Sequence, residues 1–218
     1  MKTARYTGWG RVLSAEGTMA RPERVGPGWP AGPAIGNRRS YGDAALNRAG
    51  AVVAMPRLDR LLGFDPETGL LTAEPGVKLA DILGLFGPRG WMPPVLPGTA
   101  AATLGGAIAA DVHGKNHETA GSFGQHVTAL DLETAAGTVQ TLDAASEPAL
   151  MRATLGGMGL TGRIVGATLR LSPCPGGEMA VREQRCAALD PFLEAFAQTD
   201  APFSVGWIDA TASGPALG

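Results

Sequence analysis

Pro97–Gly124 reads PGTAAATLGGAIAADVHGKNHETAGSFG, and its reading decides the fold. Small residues dominate its first half, with the hydroxyls of Thr99 and Thr103 among them. A bound dinucleotide needs backbone N–H groups aimed at its pyrophosphate, donors that neutralise charge without a bulky side chain in the way. Glycine permits that approach. A second stretch upstream, Gly36–Asn47 (GNRRSYGDAALN), has the same character. Either could be an ordinary surface turn, since short glycine patterns are common. Two such loops followed by a third cluster argue for a built site.

The third cluster is Asp111–Gly124, where His113, Lys115 and His117 stand beside three glycines with too few apolar residues for a core. Histidines at i and i+4 could suggest a metal, but no HExxH glutamate accompanies them and Gly114 interrupts any regular helix, so no metal site is expected. A neutral imidazole accepts or relays a proton, and a lysine orients a hydroxyl or phosphate. His113 and Lys115 are therefore the candidate catalytic residues. His117 more simply satisfies local hydrogen bonds.

Working outward, Ala51–Met55 and Leu70–Ala73 read as strands, and Leu79–Phe86 has helical spacing that ends at Gly87-Pro88. Val127–Leu142 alternates on either side of Ala136-Gly137, a hairpin signal. Glu147–Leu155 reads as a helix and Gly162–Leu171 as a half-buried strand. Ser14–Ala34, rich in Gly, Pro and Arg, reads as a loop. Pro173, Pro175 and Gly176-Gly177 mark a boundary. Beyond it Asp190-Pro191 signals an N-cap and first-turn proline, and Phe203–Asp209 reads as a strand. The result is a mixed α/β order of elements: a first domain over residues 1–172 and, over 173–218, the beginning of an incomplete second one.

The 218 residues are 44% hydrophobic, enough for a core, and the net charge of −2 with no basic run gives nucleic acid no surface to hold. No apolar stretch is long enough for an integral membrane segment and no signal-peptide core follows MKTARYTGWGR, so a cytoplasmic protein is the expectation. Cys174 and Cys186 lack the number and spacing of a disulfide or metal framework.

In order, YTGWGR (Tyr6–Arg11), RSYGD (Arg39–Asp43), VLPGT (Val95–Thr99), GGAIA (Gly105–Ala109), DVHGKNH (Asp111–His117), AGSFG (Ala120–Gly124) and GGMGLTG (Gly156–Gly162) span nearly the whole chain. This series resembles the decaprenylphosphoryl-β-D-ribose 2-oxidase family, within the vanillyl-alcohol-oxidase (PCMH-type) FAD-binding oxidoreductases. HGKNH followed by AGSFG is its most discriminating part.

The resemblance implies a PCMH-type FAD-binding domain of two α+β subdomains, then the start of a substrate (cap) domain. It implies that Gly36, Asn37, Arg38, Arg39, Ser40, Tyr41, Gly42 and Asp43 wrap the pyrophosphate together with Gly98, Thr99, Thr103, Gly105 and Gly106. Ala110 and His113 would pass the ring system. Ile164 and Val165 would pack near the flavin, or simply fill strand core. Tyr41 would stack on or hydrogen-bond the cofactor, or be an ordinary buried tyrosine. Asp43 would hold its own loop, and Trp9 and Trp91 would be packing residues.

Three differences from relatives matter. Arg38 stands where the family keeps a glycine, and either crowds the pyrophosphate or pairs with it. Arg39 occupies the position at which related flavoproteins carry a tethering histidine, so the FAD is expected to be non-covalent. The family's lysine, tyrosine and cysteine of the substrate domain have no counterpart here. The implied activity is oxidation of a secondary alcohol of a sugar, such as a polyprenyl-phosphate-linked pentose. The alternatives are a flavin-binding module without catalysis, or an enzyme whose substrate domain comes from a partner chain.

Overall fold

The computed structural model describes residues 2–26, 28–209 and 211. The chain starts with a hairpin that composition hides. Strand β1 (Lys2–Thr7) pairs antiparallel with β2 (Ser14–Ala20), from Lys2 opposite Met19 to Thr7 opposite Ser14. The expected loop over Ser14–Ala34 is thus corrected at both ends: β2 opens it, and the two-residue strand β3 (Ala34–Ile35) closes it. The inner face of β2 is Ala15, Gly17 and Met19, a small-residue stripe with no strong apolar alternation. Gly17 is required there, because a Cβ would stand 2.2 Å from the Gly50 carbonyl oxygen.

Strand β4 (Ala51–Ala54) lies parallel between β2 and β3 and completes a four-stranded sheet in the order β1-β2-β4-β3. Its residues serve two cores. Val52 and Ala54 pack with Tyr6, Ala15, Met19 and Ile35. Val53 points the other way and, with Met55 and Leu58, meets Val165 of the second sheet. A strand buried on both faces reads as a continuous apolar run. Each fully buried valine contributes about 1.5–3 kcal/mol of transfer free energy, so this seam is a main joint between the subdomains.

The second sheet is antiparallel throughout, in the order β5 (Leu61–Asp65), β6 (Leu70–Ala73), β10 (Arg163–Arg170), β8 (Val127–Glu133), β9 (Val139–Asp143). The turn between β8 and β9 contains Gly137 at φ +78°, as its hairpin signal requires. Helices α1 (Leu79–Phe86), α2 (Leu104–Ala109) and α4 (Pro148–Thr154) are short. Ile82, Phe86, Leu104, Ile108 and Met151 bury their apolar faces with Leu71, Leu130, Leu132 and Leu169 of the sheet. Trp91, in the two-residue strand β7 (Trp91–Met92), meets Phe64 edge-on at 6.0 Å and does pack.

A second joint is polar. Arg163, at the start of β10, donates Nε–H to Glu133 at 2.9 Å and an Nη1–H to the Pro30 carbonyl at 2.9 Å. Its guanidinium also lies 5.3 Å from the Trp29 ring centroid. The irregular segment before β3 is thereby strapped to the second sheet.

Past β10, strand β11 (Ser172–Pro173) pairs with β7, and the Cys174 amide donates to the Gly90 carbonyl at 2.7 Å. Helix α5 (Leu189–Gln198) forms where a helix was expected, but its N-cap is Ala188, not Asp190. The expected strand over Phe203–Asp209 is not one: no neighbouring strand among the described residues offers it a ladder, and Val205, Trp207 and Ile208 are exposed. The expected end of the chain at 213–218 lies outside the described residues.

Candidate functional site

The site is built where α2 meets β3. Thr103 caps α2, its Oγ1 accepting the Gly106 amide at 3.3 Å, and it is buried. A Cβ on Gly36, just past β3, would stand 2.3 Å from that oxygen. Only glycine lets the first subdomain's chain pass so close. Gly105 is forced in the same way, since a Cβ would meet the Pro75 side chain at 2.7 Å. Asn37 then ties the loops together, donating Nδ2–H to the Ala101 carbonyl at 2.9 Å, while Thr99 Oγ1 accepts the Ala101 amide at 3.2 Å.

A cleft of about 60 Å³ runs along this junction, lined by Ile35, Gly36, Met55, Pro75, Thr103, Gly105, Gly106, Ala109, Met158, Gly159, Gly162 and Ile164, with Ala34. One wall comes from the segment 156–162, which docks on the end of α2: the Gly156 amide donates to Ile108 at 3.1 Å and the Met158 amide to Ala109 at 2.8 Å. Met158 holds φ +51° to do so. Met55, Pro75, Met158, Gly159 and Gly162 were not singled out as site residues. The GGMGLTG motif was their available signal, while Met55 and Pro75 reach the cleft only through the tertiary fold.

Of the residues expected to hold the cofactor, the cleft lining unites Gly36, Thr103, Gly105, Gly106 and Ile164. Val165, the next residue on β10, points into the seam with Val53 and Leu58. Gly98 and Thr99 lead into α2, and Ala110 closes it, its amide donating to the Gly106 carbonyl at 3.1 Å.

Arg38 through Asp43 run along the first subdomain. Arg38 sits at φ +55° and donates to the Thr7 carbonyl at 3.4 Å. Arg39 covers the Trp9 ring at 5.1 Å, and Trp9 is half exposed, so it is not the packing residue expected. Tyr41 is 87% exposed, which excludes a buried tyrosine. Ser40 is half-buried, and Gly42, at φ +64°, lies against Gly8. The Asp43 main-chain carbonyl accepts the Leu46 amide at 2.7 Å, while its exposed carboxylate makes no hydrogen bond among the described residues, so the expected side-chain hold on the loop is not seen.

Leaving α2, the chain turns at Asp111, a non-glycine residue at φ +40° whose Oδ1 accepts the Gly124 amide at 2.7 Å. That bond closes the loop carrying His113 and Lys115. Both side chains are exposed, and neither lines the cleft. The His113 and His117 rings meet edge-on at 5.5 Å, with His117 opening the short helix α3 (His117–Ala120). Buried Asn116 anchors the loop by donating Nδ2–H to the Pro94 carbonyl at 2.8 Å. The segment after α5 crosses here, its Ser204 amide donating to the Lys115 carbonyl at 2.8 Å. Among the described residues no group of three or more His, Cys, Asp or Glu could hold a metal ion.

The cleft is narrow and suits close approach of a phosphate group to main chain. Its walls are main chain at five glycines, no heavy atom lies within 4 Å of a Cβ placed on Gly159, and no carboxylate among the lining residues opposes a pyrophosphate. A family described as FAD binding domain matches residues 33–143, which carry the Gly36 loop, α2 and the His113 loop.

The chain belongs to this FAD-binding domain family.

Its fold is the α+β PCMH type and its cofactor is FAD. Decaprenylphosphoryl-beta-D-ribose oxidase of Mycolicibacterium smegmatis is 37% identical over 231 residues, covering 99% of this chain and 50% of that protein. An uncharacterized protein in the mprA 5' region of Streptomyces coelicolor is 40% identical over 144 residues, 65% of this chain and 39% of that one. D-lactate dehydrogenase of Anaerostipes hadrus is 26% identical over 151 residues, 67% of this chain and 32% of that enzyme. The chain therefore spans half or less of the length of these curated relatives. No helix among the described residues is long and apolar enough to cross a membrane.

Proposed function

We propose that the chain is the FAD-binding part of an oxidoreductase that oxidises a secondary alcohol of a sugar, a polyprenyl-phosphate-linked pentose in the first instance. The observation that carries this is the glycine-walled cleft at the junction of the two subdomains, with a histidine-lysine loop leaving the same helix. Gly36, Thr103, Gly105 and Gly106 would hold the pyrophosphate without covalent attachment, and Ile164 and Ala110 would border the ring system. When bound, FAD would supply the two-electron, hydride-accepting chemistry. The protein's own contribution is to orient the alcohol and remove its proton: Lys115 positions the hydroxyl and His113 accepts the proton as the C=O bond forms. Similarity to the ribose oxidase over 99% of the chain supports the substrate class.

A second reading has its own observation. His113 and Lys115 are exposed outside the cleft, and exposed Val205, Trp207 and Ile208 follow α5. Both features fit a substrate domain that begins near residue 173 and is completed by further chain or by a partner. The free thiols of Cys174 and Cys186 fit a reducing, cytoplasmic setting.

Anaerobic titration of the flavin-loaded protein with polyprenyl-phosphate pentose, against simple sugar alcohols, separates these readings. Bleaching by the lipid-linked sugar, lost in His113→Gln, supports an active site in this chain. A stable flavin spectrum without bleaching supports the binding-only reading.

A further inference from the structure

The cleft is not the largest concavity. A hollow of about 440 Å³ opens beside the β1–β2 hairpin, lined by Arg5, Tyr6, Thr7, Arg11, Val12, Leu13, Ser14 and Arg38. Three arginines line it, and no carboxylate among the described residues does. Among the described residues none of the three makes an ion pair: Arg5 donates Nε–H to Ser14 Oγ at 3.2 Å, Arg38 donates to the Thr7 carbonyl at 3.4 Å, and the Arg11 side chain has no hydrogen bond. Glu16 lies across the hairpin from Arg5 but does not pair with it. Tyr6 keeps its hydroxyl for Asn47, accepting that residue's amide at 3.0 Å.

Like charges gathered around one hollow repel unless an anion joins them, and guanidinium forks match phosphate oxygens two at a time. The same rim carries aliphatic surface, Val12 at 88% exposed and Leu13 at 44%. Cationic walls beside exposed aliphatic side chains match a ligand that is charged at one end and a hydrocarbon at the other.

We propose that this hollow is a binding subsite for an alkyl phosphate, separate from the flavin cleft. Arg5, Arg11 and Arg38 take the phosphate oxygens, and Val12 and Leu13 cover the first carbons of the chain. The proposal deepens the function proposed above, because an alkyl phosphate bearing a sugar is the substrate class named there.

The test is calorimetric titration of the purified chain with dodecyl phosphate below its micelle-forming concentration, with ribose 5-phosphate and with inorganic phosphate. FAD content is measured on the same samples. Dodecyl phosphate should bind most tightly, less so as salt rises, and Arg11→Gln and Arg5→Gln should each weaken it about tenfold, the loss of one charge-assisted hydrogen bond. FAD content should not change in either variant. Binding of dodecyl phosphate to a preparation that holds no FAD would leave the subsite standing and sink the proposed oxidoreductase. Three results overturn the subsite: no binding of any probe, inorganic phosphate binding as tightly as dodecyl phosphate, or FAD content falling with phosphate affinity in both variants.

Discussion

Gly36 and Thr103 occupy one space: a Cβ on residue 36 would stand 2.3 Å from the Thr103 hydroxyl oxygen that caps α2. Gly36→Ala should therefore displace Thr103, release the Gly106 amide and lower FAD content. Thr103→Ala should cost about 1 kcal/mol through the lost cap. Because Thr103→Ala also removes the colliding atom, the double variant should cost less than the sum of the two singles. Denaturation midpoints of the four proteins measure that coupling, and strict additivity would show that the contact is not made.

Arg163 ties the two subdomains through the Pro30 carbonyl, its guanidinium held in place by Glu133 of the same sheet. Both side chains are largely buried, so Arg163→Ala leaves Glu133 with an uncompensated charge, at a cost of about 3 kcal/mol. Limited proteolysis should cut first within residues 21–33, the strap that loses its anchor. A variant that melts earlier but is still cut elsewhere would argue against the strap.

Acid should weaken the fold through Glu74. Burial pushes its carboxyl upward, but hydrogen bonds from the Arg60 side chain and amide, with the Arg60 charge, outweigh this and hold it below the ordinary 4.5. A carboxyl whose folded value is depressed contributes its full stability above 4.5, and loses it as pH falls through the lower folded value. Asp65, held low by Thr68, and Asp143, held low by the Ser146 amide, act in the same direction. Glu74→Gln should flatten the fall in melting temperature below pH 4.5 without abolishing it. An unchanged slope would remove Glu74 from this account.

Asp111 shapes the His113 loop from a φ of +40°. Asp111→Ala loses the acceptor for the Gly124 amide and should cost about 1–3 kcal/mol, whereas Asp111→Asn keeps an acceptor and a residue tolerant of that conformation. Amide exchange at Gly124 is the readout: faster in the alanine variant, near normal in the asparagine one.

Much of this architecture is legible in residue pattern. β4, β6, β10, α1, α4 and the β8–β9 hairpin fall where periodicity and turn residues place them, because each has an apolar face in one core. β2 escapes that logic. Its inner face is Ala15, Gly17 and Met19, and Gly17 is chosen for the close approach of Gly50, a tertiary cause with no local trace. The Phe203–Asp209 segment errs the opposite way, with strand-like residues but no partner strand among those described. At the site, the glycines of the Gly36 and α2 loops are legible because the backbone approach demands them. Met55 and Pro75 are not, since only the packing of two subdomains brings them to the cleft. Trp9 and Tyr41 look like core residues by type, yet the fold leaves them half exposed and exposed.

The most direct test of the central claim is the visible spectrum of the freshly purified chain, followed by denaturation and filtration. Flavin absorbance at close to one FAD per chain, passing entirely into the filtrate, is the expected result, with occupancy lost in Gly36→Val. A folded, colourless protein that cannot be reconstituted with FAD, or a flavin that stays with the polypeptide, would contradict non-covalent FAD binding in the cleft.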